Sequence, residues 1–200
     1  MDAADSRDRA PDSEVPAEPE SGEKLPLPLT TSRPELLVDG SDRTFRELVH
    51  ELFAFLARHE EIRAGHGRHI GLRGVEYTVL ISIGHLGNYG DVNVKTVADH
   101  LHLSATFITK ITNQLAAEGL VNKVADAADQ RRIMLEITPK GYGLLEKLAP
   151  VQRQVNDVEF GALDAEEFET LLRIMRKLVD SSSQAVALQN YLNQKPTRGE

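Results

Sequence analysis

The chain has 200 residues, 40% of them hydrophobic and 27% charged, with a net charge of −8. That length suffices for one sizeable domain with a tail. The absence of cysteine excludes disulfides, thiolate zinc sites, a cysteine nucleophile and thiol redox sensing. No apolar run approaches the roughly 20 residues that span a bilayer, and the acidic N-terminus lacks the apolar stretch of a signal peptide, so the expectation is a cytoplasmic protein with no membrane partner.

The charge is unevenly placed. Residues 1–40 hold ten Asp/Glu and four Lys/Arg, a net of −6, which leaves −2 for the other 160 residues. Residues 91–140 hold six of each sign. Overall charge therefore neither requires nor forbids a nucleic-acid partner, and local patterns decide. Residues 1–40 are rich in Asp, Glu, Pro, Ala and Ser, bury little, and read as an acidic, largely disordered tail, with some apolar residues between Leu25 and Val38 able to pack on a body.

The first predicted helix starts at Ser41 or Asp42. Phe45, Leu48, Val49, Leu52, Phe53 and Leu56 recur at helical spacing, and Gly65-His66-Gly67 reads as its break. A second helix spans about 74–86, with Val75, Val79, Ile83 and Leu86 on one face. Two short helices follow. Asn93 suits the cap of one, which turns Val94, Val97, Ala98 and Leu101 inward, and Leu103 is expected to plug the turn. Ser104 suits the cap of the next, which turns Ile108, Ile111 and Leu115 inward and stops at Gly119. The period then changes from helix to strand: residues 120–125 and 132–137 form a hairpin around the polar loop 126–131. Thr138-Pro139 opens a long helix to about Phe160, and Asp164 with Glu167 opens a last one, whose apolar face includes Leu171, Leu172, Ile174, Met175, Leu178 and Val179.

Helix, helix, helix-turn-helix, β-hairpin and two more helices make a mainly α chain with a winged helix-turn-helix at its centre. In such a motif the second helix enters the DNA major groove with its N-terminal residues near base edges. The helix from Ser104 presents Thr106, Thr109, Lys110, Asn113 and Gln114 opposite its apolar face. Hydroxyls and Lys bind phosphates, and Asn or Gln pairs with adenine edges. Near the hairpin tip stand Asp129-Gln130-Arg131-Arg132. Arg on a projecting loop reaches the negative minor groove, and Asp holds it there. Taken alone, the helix residues read more readily as the polar outer face of an amphipathic helix, and the hairpin tip as a turn with ordinary surface charges; the two together change that balance.

The stretch from Val92 to Gly141 resembles the MarR family of regulators in a hydroxyl-led recognition helix (Ser104), a Gly119-Leu120-Val121 exit, an Asp129–Arg131 wing and an Ile137-Thr138-Pro139-Lys140-Gly141 re-entry. The resemblance extends over about 41–187. It implies that Ser104, Thr106, Thr109, Lys110 and Asn113 meet the major groove or its phosphates and that Asp129 anchors Arg131. Lys110 stands where Arg is common in the family. It also implies a homodimer reading a near-palindromic operator in double-stranded DNA, with 41–190 as the domain, 72–140 as the DNA-binding lobe, 41–64 and 140–188 as dimerisation helices, and 191–200 as a flexible end. Members respond to a small effector between dimer helices and lobe. Phe53, His59, His69, Arg73, Tyr77 and His85 are candidates here, Arg73 with Tyr77 being placed to hold an aromatic carboxylate. Arg73 as a cap or ion-pair partner and Tyr77 as core are the alternatives.

Other functional classes find less support. No His pair at i, i+4, Gly-rich phosphate loop or nucleophile elbow is visible, so no enzyme and no cofactor are expected. His59, His66 and His69, or His100 with His102, leave a metal-responsive regulator of the same fold as an alternative, although no metal site is assigned. A protein-interaction winged helix without DNA binding is the other alternative.

Overall fold

The computed structural model describes residues 27–125 and 132–194. Six helices and one hairpin follow in order: α1 (Arg43–His69), α2 (Gly74–Gly87), α3 (Val94–Leu101), α4 (Ala105–Ala117), β1 (Val121–Ala125), β2 (Ile133–Ile137), α5 (Pro139–Phe160) and α6 (Ala165–Gln194). This is the mainly α, winged helix-turn-helix order read from the sequence. The chain divides within α1, between Phe55 and Leu56.

In the first unit, the segment before α1 is organised around Asp42, which is fully buried. The Thr30 amide and hydroxyl both donate to Asp42 Oδ2 at 2.7 Å, and the Arg46 guanidinium pairs with Oδ1. These donors, the Thr30 hydroxyl foremost, hold the Asp42 carboxyl below its ordinary pKa. A short 3-10 turn, Pro34–Leu36, and a bridge between Val38 and Ser41 complete the segment. Residues 27–40 thus have local structure where the composition suggested tail, because a buried carboxylate needs donors and Thr30 supplies two. Residues 1–26 of the expected tail lie outside the described residues.

In the second unit, α1 passes straight through Gly65-His66-Gly67. A Cβ on Gly67 would lie 2.8 Å from the Leu72 carbonyl oxygen, so glycine there lets the α1–α2 connection fold tightly against the helix. The turn that ends α1 is closed by Gly71, at φ +77°, a conformation that favours glycine.

The core is built from Ile70, Leu72, Tyr77, Val79, Leu80, Ile83, Val97, Ile108, Ile111, Leu115, Leu120, Leu135 and Leu148, with Val75, Leu86, Val94, Leu101 and Ile137 packed against it. Helix α2 runs through its middle, touching α3, α4 and β2. The Asn93 side chain accepts from the Thr96 amide at 3.0 Å and caps α3, as its position suggested. Leu103, by contrast, stays 40% exposed, because Val97, Ala98 and Ile108 already close the junction of α3 and α4.

β1 and β2 pair antiparallel, Val121 opposite Ile137 through to Ala125 opposite Ile133. The loop before α3 adds a third edge: Asn93 bridges Met134, and the Leu135 amide donates to the Val92 carbonyl at 2.8 Å. Thr138 then docks α5 onto the α4–β1 turn. Its hydroxyl donates to the Gly119 carbonyl at 2.7 Å and accepts from the Gly141 amide at 3.1 Å, and its own amide donates to the Leu120 carbonyl at 3.0 Å. Asp164 and Glu167 exchange the two hydrogen bonds of a capping box at the start of α6. Helix α6 continues through 191–194, four residues expected as flexible end; 195–200 lie outside the described residues. Among the described residues, no helix is long and apolar enough to cross a membrane.

Candidate nucleic-acid interface

The site is the outer face of α4 and the hairpin beside it. Ser104 has extended backbone, and its Oγ accepts from the Phe107 amide at 3.2 Å, so the hydroxyl that caps α4 also stands at its leading end. Ile108, Ile111, Thr112 and Leu115 are buried beneath. That burial fixes the rotation of the helix and leaves Ser104, Thr106, Thr109, Lys110 and Asn113 exposed on the opposite side. The helix thus presents hydroxyls, an ammonium and an amide in one stripe.

Two groups tie this stripe to its surroundings. Lys123 Nζ, on β1, donates to Asn113 Oδ1 at 2.5 Å, and burial lowers the lysine's pKa. Gln114 is half-buried: its Oε1 accepts from Arg73 Nη2 at 2.6 Å, and its Nε2 donates to Glu118 at 3.3 Å. Gln114 therefore acts as a link from α4 to the start of α2 as well as a surface amide. Lys123 was not among the sequence candidates, since a lone Lys in a strand carries no signal until the strand is laid beside α4. Arg132 is exposed at the foot of β2. Asp129 and Arg131 lie outside the described residues.

The effector candidates are dispersed. Phe53 is exposed on α1, and His69 is exposed at its end. His59 Nδ1 lies 3.0 Å from Glu159 Oε1 on α5. The Arg73 guanidinium is committed to Glu76 and Gln114, and its Glu76 hydrogen bond raises its pKa further. Tyr77 is buried, with its hydroxyl accepting from Gln152 Nε2 at 2.9 Å. Arg73 and Tyr77 thus face different neighbours, α4 for one and α5 for the other. A residue at i and another at i+4 share a helix face only when both are inside the helix, and Arg73 is the cap of α2. His85 stands at the far end of α2, its ring 5.2 Å from Tyr89 and 5.7 Å from His100. Among the described residues, no group of three or more His, Asp or Glu is placed to hold a metal ion.

Residues 70–132, from the end of α1 into the wing, match the model of the MarR family. That stretch, about a third of the chain, is similar to the MarR family. The chain is similar to the transcriptional repressor NicR of Pseudomonas putida, with 35% identity over 78 residues, 39% of this chain and 49% of NicR. This stretch is about half the length of that relative. MhqR, a transcriptional regulator of Bacillus subtilis, is 26% identical over 129 residues, 64% of this chain and 89% of MhqR. Among solved structures, BpsR of Bordetella bronchiseptica, described as regulated in DNA binding by 6-hydroxynicotinic acid, superposes with a TM-score of 0.54 at 24% identity, over 66% of this chain and 91% of BpsR. A mutant MarR from E. coli in complex with operator DNA superposes with a TM-score of 0.56 at 16% identity, over 66% of this chain and 93% of that one. At these identities the structural likeness speaks to the fold. The part of this chain that is similar to the MarR family thus includes α2, α3, α4 and β1.

Proposed function

We propose that this protein is a homodimeric transcriptional regulator that binds double-stranded DNA through α4 and the wing, represses from a near-palindromic operator, and is released by a small effector. The observation that carries this reading is the exposed stripe Ser104, Thr106, Thr109, Lys110 and Asn113 held rigidly on a helix whose opposite side is core. Hydroxyl, ammonium and amide groups in that order suit phosphates and base edges, and the likeness over 78 residues to NicR, named a transcriptional repressor, supports the role.

The dimer rests on α6. Its side chains from Leu171 to Leu192 include many large apolar groups, and none of its residues is buried in the single chain. A second copy is the partner that covers such a face with a like face. Two-fold symmetry would set the recognition helices about 34 Å apart, one turn of DNA. In this arrangement 72–140 is the DNA-binding lobe, and 41–64 with 140–188 carry the dimer. An effector acts by favouring a head spacing that misfits the operator, a shift between populations with a coupling free energy between the sites. An aromatic acid is our choice of effector class, supported by the 6-hydroxynicotinic acid response described for BpsR. A regulator of this kind works in the cytoplasm.

The test is fluorescence anisotropy of the full chain on DNA upstream of its own gene, with salt varied. Specific binding that weakens steeply with salt is expected. Arg131→Ala is expected to weaken binding at least tenfold with the dimer intact by light scattering; unchanged affinity removes the wing from the mechanism. Absence of any specific binding refutes the reading as a whole.

A further inference from the structure

His66 lies where α1, α2 and α5 meet, and its role is not accounted for by DNA contacts. Only 6% of it is exposed, and its Nε2 is shut off from solvent with no hydrogen-bond partner. Its ring meets the Tyr77 ring edge-on, with centroids 5.7 Å apart. Tyr77 is in turn held from α5 by Gln152. From α5, Asn156 hydrogen-bonds His66 and the Glu159 carboxylate acts on it through its charge; from its own helix, His59 and His69 act on it in the opposite sense. Among the described residues, these and Tyr77 are the groups that act on the ring by charge, hydrogen bond or ring contact. The only carboxylate among them, Glu159, has a nearly buried side chain and is already engaged by His59 Nδ1 at 3.0 and 3.3 Å.

We propose that His66 is a proton-operated latch between α1 and α5: neutral, it lets the helices close over Tyr77, and protonated, it forces them apart. A neutral imidazole tolerates one idle nitrogen in an apolar wall. An imidazolium places a charged N–H at the same point, where it has no acceptor and where Glu159 is already shared, so the helices must separate to admit water. Burial, reinforced by His59 and His69, outweighs Asn156 and Glu159 and holds the His66 pKa below its ordinary 6.5. For such a group the stability it contributes is present above 6.5 and is lost as pH falls from 6.5 through the lower folded value. Resting on the regulator reading, separation of α1 from α5 shifts the helices that carry the dimer relative to the lobe, so mild acid releases DNA.

The experiment is thermal unfolding of the full chain from about pH 7.5 to about pH 5.5, above the range in which carboxylates protonate. The native protein is expected to lose several degrees over this interval. His66→Gln, a neutral amide of similar reach, is expected to flatten most of that loss, and Glu159→Gln, which removes the carboxylate whose charge acts on the ring, to steepen it. His50→Gln, at an exposed position on α1, controls for the loss of an imidazole as such and is expected to behave as the native chain. An undiminished loss in His66→Gln, or a flatter one in Glu159→Gln, overturns the proposal. If His66→Gln does not fold, histidine ring resonances of the native protein decide: the ring in contact with Tyr77 must titrate below about 6.5, and titration at or above that value overturns the latch. Failure to bind DNA at every pH would sink the regulator reading alone and leave the melting result standing.

Discussion

Gly141→Ala tests whether the docking of α5 onto the α4–β1 turn is as tight as the geometry requires. Gly141 is the third residue of α5 and is buried. A Cβ there would lie 2.4 Å from the Leu120 carbonyl oxygen and 2.7 Å from Ile137 Cγ2. A carbon and a carbonyl oxygen ordinarily stay about 3.3–3.6 Å apart, so the gap is short by about 1 Å. The carbonyl cannot swing away freely, because it accepts the Thr138 amide at 3.0 Å, and the Thr138 hydroxyl next to it is bonded to the Gly119 carbonyl. Overpacking of this kind costs about 1–3 kcal/mol, and loss of the Thr138 hydrogen bond adds about 1 kcal/mol. Against this, alanine gains about 1 kcal/mol over glycine within a helix. The net is a destabilisation of about 2 kcal/mol, or a Tm lower by roughly 4–8 °C for a domain of this size. Gly143, two residues along the same helix, is exposed and has nothing within 4 Å of its Cβ position. Gly143→Ala is therefore expected to raise Tm by about 2 °C through propensity alone. The assay is thermal unfolding by circular dichroism at one fixed protein concentration, since the proposed dimer would make Tm concentration-dependent. A Gly141→Ala variant as stable as the native chain, or a Gly143→Ala variant equally harmed, would refute the steric argument.

Two further outcomes are expected. Lys110→Ala, at an exposed position on α4, is expected to weaken binding to all DNA sequences about equally and to lower the slope of log affinity against log salt by about 1, the signature of one lost phosphate contact; a change confined to one base position would instead assign Lys110 to base reading. Glu76 gives an acid limb to stability. Burial raises its pKa, but the side-chain and backbone hydrogen bonds from Arg73 together bring it below the ordinary 4.5. Its contribution is therefore present above 4.5 and lost as pH falls through the lower folded value, and Glu76→Gln is expected to be less stable at neutral pH yet flatter below about pH 4.5 by urea unfolding. An acid limb identical to that of the native chain would show that the Arg73–Glu76 pair has no part in it.

Features that depend on a few neighbouring residues are legible in the sequence by itself. Asn93, Ser104, Thr138-Pro139 and Asp164 mark helix starts because each cap acts within three residues of itself, and the buried positions Ile108, Ile111 and Leu115 follow from one helical period. The same period assigns the outward residues of α4, so most of the candidate interface comes from local pattern. Approaches between distant parts of the chain carry no such mark. Gly65-His66-Gly67 has the composition of a break, yet α1 continues through it, and the room that Gly67 leaves is taken by the Leu72 carbonyl. Arg73 and Tyr77 have the spacing of a shared face, yet Gln114 draws one toward α4 and Gln152 draws the other toward α5. The third sheet edge at Asn93, the Lys123–Asn113 pair and the hydrogen bond between Asn156 and His66 all join residues distant in sequence. Which polar group meets which is settled by packing, since one buried side chain without a partner costs more than any local preference supplies.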